Sequence, residues 1–180
     1  MNLIINIETL AFTNNAKIAQ ITITNFNDNF QVNKHLSYNL DLNSQLSRAV
    51  DPNVLKYWKY NKQFASNVFN KDLQLNSNKV KQKIINLFKS FAEGNDIKLY
   101  FQSYYITYNI LTNFLDNDLS DYVKPSNLME CKSIYNYFNV LYPQYFYKYK
   151  PVNDDIKSGE DKNNHNLEML KFCNTLSKGE

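Results

Sequence analysis

The stretch "IINIETLA", residues 4–11, decides how the chain is read. With "MNL" before it, it is a continuous apolar run of strand length, which suits a central strand buried on both faces. It ends in one carboxylate, Glu8, with an amide, Asn6, two residues before.

Outward from this strand, "AKIAQITITNF" alternates through Ile18, Ile21 and Ile23 and predicts a second strand. "FTNNA" between the two is a short hairpin-like turn. "FQVNKHLSYNL" extends the pattern to a third strand of an antiparallel meander. The periodicity then becomes helical. Asp51 caps and Pro52 opens a helix, with Leu55, Trp58, Phe64 and Val68 available for one face. "SNKVKQKIINLFKSFAEG" carries a stripe of Val80, Ile84, Leu87, Phe88 and Phe91, with Gly94 as a C-terminal stop. "DIKLYFQSYY" reads as a strand and "ITYNILTNFL" as a helix. "NLMECKSIYNYFN" gives a short strand or turn and then a helix. "KPVNDDIKSGEDKNN" reads as a polar loop, and "HNLEMLKFCNTL" closes as a helix. This order predicts an α/β fold, one domain over residues 1–180, with a mixed sheet flanked by helices.

Composition narrows the function classes. The 180 residues suit one domain. A 43% hydrophobic and 15% aromatic content supports a packed core. The net charge of +3 is too mild to indicate nucleic-acid binding by itself. Arg48 is the only arginine, so bidentate phosphate clamps are nearly absent. Only three glycines occur and no glycine-rich phosphate loop is present. Cys131 and Cys173 lack metal-site spacing and read as buried reduced thiols. No run of 18 apolar residues occurs, and no charged segment leads into a long apolar core. The expectation is a cytoplasmic protein with no membrane role. The Asn, Lys, Ile, Tyr and Phe content suits an AT-rich genome, a virus or phage being one source, with host cytoplasm or virion as the location.

Several stretches together resemble one family, the DEDD 3′-5′ exonucleases of the ribonuclease H-like superfamily. The similarity is to the branch of bacterial exoribonuclease-like domains and phage exonuclease A. "INIETLA" stands where the family has a strand ending Asp-x-Glu-Thr-Leu/Met-Gly, and "AKIAQIT" resembles its next strand. "VLKYWKYNK" occupies the place of a Trp-Trp helix. "LYFQSYYITYNIL" fits the hydrophobic frame of Val-Trp-Gly-Asn-Gly-Ala-x-Phe-Asp-x-x-Ile-Leu. "MECKS" is similar to Arg-Asp-x-Arg-Thr, and "NNHNLEML" to the closing His-Asn-Ala-Leu-Asp-Asp helix. The resemblance covers almost the whole chain in order. It implies a ribonuclease H-like domain with a three-strand meander plus parallel strands.

The family reaction hydrolyses a terminal phosphodiester with two divalent ions held by four carboxylates, and a histidine as base. Carried onto this chain, the resemblance puts Asn6 and Thr107 at positions of two of the aspartates. An amide or hydroxyl there brings no countercharge for Mg²⁺. Glu8 remains. At the last motif an ungapped match puts Asn163 at the histidine and Glu168 at the aspartate. Deleting one residue puts His165 at the histidine instead. Glu8 and Glu168 are thus the candidate metal carboxylates, and His165 the candidate base. Phe101, Gln102 and Ser103 replace the small residues that let substrate approach, which predicts a filled cleft.

Plainer readings stand beside these. Glu8 reads equally as a solvated or capping strand-end carboxylate. Tyr57 and Trp58 are core packing at helical spacing, or a platform on which a base stacks. His165 is a helix-start or surface residue, or a base. His35 has no visible partner. "YPQYFYKYKP", residues 142–151, is a partly buried loop, or an aromatic-lysine strip for single strands. Asp154, Asp155, Glu160 and Asp161 are a solvated loop, or metal ligands. The expected function is a catalytically inactive exonuclease-like protein kept as a nucleic-acid- or protein-binding module, with Gln102 and Ser103 beside Tyr57 and Trp58 in contact with nucleic acid. The alternatives are an active exonuclease with a rearranged site, using Mg or Mn, and a structural component of a viral or other assembly. No cofactor is expected otherwise. The partner is a protein or single-stranded nucleic acid, and the oligomeric state is open.

Overall fold

The computed structural model describes residues 1–93, 96–116, 118–146 and 158–179. Its centre is a six-stranded mixed sheet in the order β4-β3-β2-β1-β5-β6. The strands are β1 (Asn2–Thr9), β2 (Ile18–Phe26), β3 (Val32–Leu40), β4 (Gln74–Leu75), β5 (Lys98–Phe101) and β6 (Leu128–Glu130). β1 and β2 pair antiparallel, as do β2 and β3. β5 joins β1 in parallel, β6 joins β5, and β4 joins the end of β3. The expected meander with added parallel strands is therefore present. The apolar opening run is central because β1 has a neighbour on both edges and helices over both faces.

Strand alternation sorts the core into two layers. Leu3 and Ile5 of β1, with Ile21 and Ile23 of β2, face helices α3 (Ser77–Ala92) and α4 (Tyr104–Phe114). Val80, Ile84, Ile85 and Phe88 are buried on α3, and Leu87 and Phe91 pack at its margin. On the opposite face, Ile4 and Phe26 meet α5 (Cys131–Leu141) and α7 (Gly159–Ser177) through Cys131, Leu167 and Leu170. A third cluster joins Leu10 and Ala19 to α1 (Pro52–Tyr60) and α2 (Lys62–Val68). Cys131 and Cys173 are free and buried.

Three sequence expectations are corrected. Asp51 caps α1 through the Asn53 amide at 2.8 Å, but the helix stops at Asn61. Phe64 and Val68 then belong to α2, and Val54 rather than Leu55 is the buried partner of Trp58. The polar stretch before His165 is helical from Gly159, because Ser158 accepts from the Asp161 amide at 3.1 Å and donates to the Asp161 carboxylate at 2.8 Å. That reciprocal cap starts the helix with no apolar residue to announce it. Glu160 and Asp161 therefore lie in a helical first turn, whereas Gly94, Asp154 and Asp155 lie outside the described residues. His35 does have a partner, the Thr24 hydroxyl at 2.9 Å.

Pro143–Phe146 forms a short helix, α6, within the "YPQYF" stretch; residues 147–157 lie outside the description. Among the described residues no helix is long and apolar enough to cross a membrane.

Candidate functional site: a cleft with a lysine at its carboxylate

β5 runs parallel to β1 and ends at Phe101, opposite Ile5, whereas β1 continues to Thr9; α4 follows β5. A cavity of about 400 Å³ opens at that point. β1 supplies Asn6, Ile7, Glu8 and Thr9 to its lining, and Phe12 follows on the loop. α1 adds Asn53, Val54, Tyr57 and Trp58. Gln102, Ser103, Ile106, Thr107 and Ile110 come from the end of β5 and from α4. α7 contributes Lys162. Seven residues singled out in the sequence thus converge on one cleft: Asn6, Glu8, Tyr57, Trp58, Gln102, Ser103 and Thr107.

The expected filling of the cleft does not occur. Phe101 turns into the core, fully buried, with Tyr104 and Tyr108 at 6.0 and 6.1 Å between ring centres. The bulk at that position therefore packs behind the cleft, and the more polar Gln102 and Ser103 line it.

His165 and Glu168 do not line the cleft. Glu168 is exposed, six residues beyond Lys162. Six residues are about 9 Å of helix and leave the side chain a third of a turn away. Burial lowers the His165 pKa from its ordinary value. Asn163, the ungapped counterpart of the family histidine, is a clamp. Its amide donates to the Ile4 carbonyl at 3.2 Å, the Thr22 carbonyl at 3.3 Å and the Thr24 hydroxyl at 3.0 Å.

At the base of the cleft, Glu8 is 6% exposed. Its Oε1 accepts from Asn6 Nδ2 at 2.6 Å and from the Lys162 ammonium in a tight ion pair. The ammonium also lies 5.1 Å from the centre of the Phe64 ring, a favourable cation–π placement. Glu8 is the one acidic side chain among the residues lining the cleft, and Lys162 the one basic. A lone buried carboxylate is costly unless paired, and this one is paired with a cation of the chain itself.

These residues do not fit a two-metal centre. One carboxylate cannot balance two dications. An ammonium and a dication about 4 Å apart repel by roughly 8 kcal/mol at an effective dielectric near 20. Among the described residues, no three His, Cys, Asp or Glu side chains gather as a metal site.

The aromatic wall has two parts. Trp58 is 4% exposed, packs on Phe64 and Phe69, and donates its indole N–H to the Thr9 carbonyl at 3.1 Å. It is a core residue that also lines the cleft. Tyr57 is 51% exposed and Phe12 74%, so both rings are accessible. Glu130, within the stretch similar to Arg-Asp-x-Arg-Thr, accepts from the Tyr104 amide at 2.9 Å and from the Ser133 hydroxyl. It thereby anchors the first turn of α4, the helix that carries Thr107.

Lys162 is the residue that the sequence reading missed. Its signal was the Ser158-x-x-Asp161 capping pattern, which starts α7 early enough to place residue 162 on a helix. No protein-family model matches the chain, and no curated protein matches it.

Proposed function

We propose that the chain is a catalytically inactive relative of the DEDD 3′-5′ exonucleases that keeps its cleft as a binding site for single-stranded nucleic acid. The observation that carries this reading is an open cleft with one carboxylate, already neutralised by Lys162. Asn6 and Thr107 line it at the positions where the resemblance expects aspartates. Phosphodiester hydrolysis by two metals requires the missing charge, whereas binding does not. Tyr57 and Phe12 offer aromatic faces to an unpaired base, a contact that tolerates any sequence. Asn53, Gln102, Ser103 and Thr107 offer neutral hydrogen-bonding groups in the same cleft. With a single arginine in the chain, stacking outweighs phosphate clamping.

Fluorescence anisotropy with labelled single-stranded RNA and DNA, in EDTA, tests this directly. Stacking is worth about 1–3 kcal/mol per base, so Tyr57→Ala weakens binding by roughly 5- to 150-fold. Affinity falls only gently as salt rises, because the cleft's one cation is already paired with Glu8. No binding of either strand, or binding indifferent to Tyr57→Ala, contradicts the reading.

The exposed apolar side chains Phe12 and Ile106 at the cleft support a second reading, in which the occupant is an apolar side chain of a protein partner. Salt-independent binding of a protein that a single strand cannot displace favours it.

A further inference from the structure

We propose that Lys162 is the resident cation of this cleft, occupying the seat beside Glu8 that the exonuclease scheme gives to a divalent ion, so that the site is assembled without metal. The inference rests on the reading of the cleft as a degenerate exonuclease site.

The placement of the ammonium is built, not incidental. α7 cannot slide, because the Asn163 amide is hydrogen-bonded to both β1 and β2. It sits close on β2, because Gly159 brings no Cβ where there is no room for one. The cap at Ser158 fixes where the helix begins. Within that frame Lys162 reaches Glu8 on one side and the Phe64 ring on the other. A carboxylate and an aromatic face both attract cations. Asn6 completes the arrangement by donating to the same Glu8 oxygen. An amide can do this, whereas an aspartate at that position would put a second anion beside the first. Asn6 and Lys162 are thus complementary: one offers a neutral amide where the scheme has a charged ligand, and the other supplies the charge that the metal would bring.

The test is thermal unfolding of the full chain, with EDTA or with excess Mn²⁺, for the wild type, Lys162→Met, Glu8→Gln and the double variant. The wild-type Tm is the same with and without Mn²⁺. Lys162→Met leaves Glu8 buried without a cation and lowers the Tm in EDTA by about 5 °C or more. Mn²⁺ recovers part of that loss, because the emptied seat again holds a carboxylate and an amide oxygen. The double variant ignores Mn²⁺ and melts closer to the wild type than Lys162→Met does.

A Tm of Lys162→Met that does not respond to Mn²⁺ overturns the inference. So does calorimetric Mn²⁺ binding by the wild type that is lost in Glu8→Gln. That second measurement needs only the folded wild type and Glu8→Gln, so it decides the matter even if Lys162→Met fails to fold. The outcomes also separate this claim from the functional reading. Loss of nucleic-acid binding in EDTA contradicts the functional reading and leaves the Mn²⁺ results standing. A wild type that binds strands but also takes up Mn²⁺ at Glu8 contradicts only the resident-cation claim.

Discussion

Gly159 rests on Thr22 across the interface between α7 and β2. A Cβ at position 159 would overlap the Thr22 hydroxyl, and would lie 2.7 Å from the Gln20 side-chain oxygen. The glycine is there for room. Gly159→Ala is expected to push α7 off the sheet and cost about 1–3 kcal/mol, a fall in Tm of roughly 2–10 °C. Because Lys162 is in the same first turn, Gly159→Ala and Lys162→Met should be non-additive. Thermal melts of the two single variants and the double check both points.

Two buried asparagines on α7 should behave oppositely. Asn163 donates to three acceptors on β1 and β2, although its own buried oxygen has no partner among the described residues, and replacing it removes the bonds that tie α7 to the sheet. Asn166 is equally buried, yet neither its amide nitrogen nor its oxygen has a hydrogen-bond partner among the described residues. An unmet buried polar group costs about 1–3 kcal/mol. Asn163→Leu should therefore lower the urea midpoint, whereas Asn166→Leu should leave it unchanged or raise it. Equal losses in both would contradict the assignment.

The indole of Trp58 ties α1 to the end of β1 through the Thr9 carbonyl. Trp58→Phe keeps most of the packing but removes the donor, for a cost of about 1–2 kcal/mol. Trp58→Ala also opens a cavity and should cost about 3–5 kcal/mol. Denaturant unfolding separates the two. Because Trp58 is the only tryptophan, intensity changes on adding a strand to the wild type report occupancy of the cleft.

His165 sets an acid limit. Burial lowers its pKa in the folded protein, so below the ordinary value of 6.5 the unfolded chain takes up a proton before the folded one does. Stability from this residue is complete above pH 6.5 and declines as pH falls below it. His165→Gln should flatten that part of the profile. At the alkaline end, burial pushes Cys131 up to about 12 and Cys173 up to about 11. The unfolded thiols ionise first, so stability falls as pH rises above 9. Urea midpoints across pH read both limbs.

The strands were legible because their signal is local. β1 is apolar throughout, β2 alternates, and the start of α1 is marked by Asp51 and Pro52. β4 was missed because two residues carry no periodicity, and it forms only by pairing with Asn39 and Leu40. The β1 side of the cleft was visible in Asn6 and Glu8 at the end of an apolar strand, whereas Thr107 on the α4 side came only from the resemblance to the exonuclease frame, because the pattern ran the preceding strand on to Tyr105 and α4 starts at Tyr104. The α7 side was not visible. Lys162 sits in a run of Gly, Glu, Asp, Lys and Asn whose helix is stabilised by a cap and by polar contacts with β2, neither of which gives an apolar stripe. Phe101 was read into the cleft because its bulk was clear but its direction was not. Only the packing of Tyr104 and Tyr108 shows that it faces the core.

The central claim is that this cleft binds without cleaving. The measurement that tests it most directly is an exonuclease assay on end-labelled single-stranded RNA and DNA, in Mg²⁺ and in Mn²⁺, with EDTA controls. The account predicts that the wild type leaves both strands at full length in every condition. Metal-dependent release of nucleotides from the 3′ end, abolished by Glu8→Ala, would contradict it.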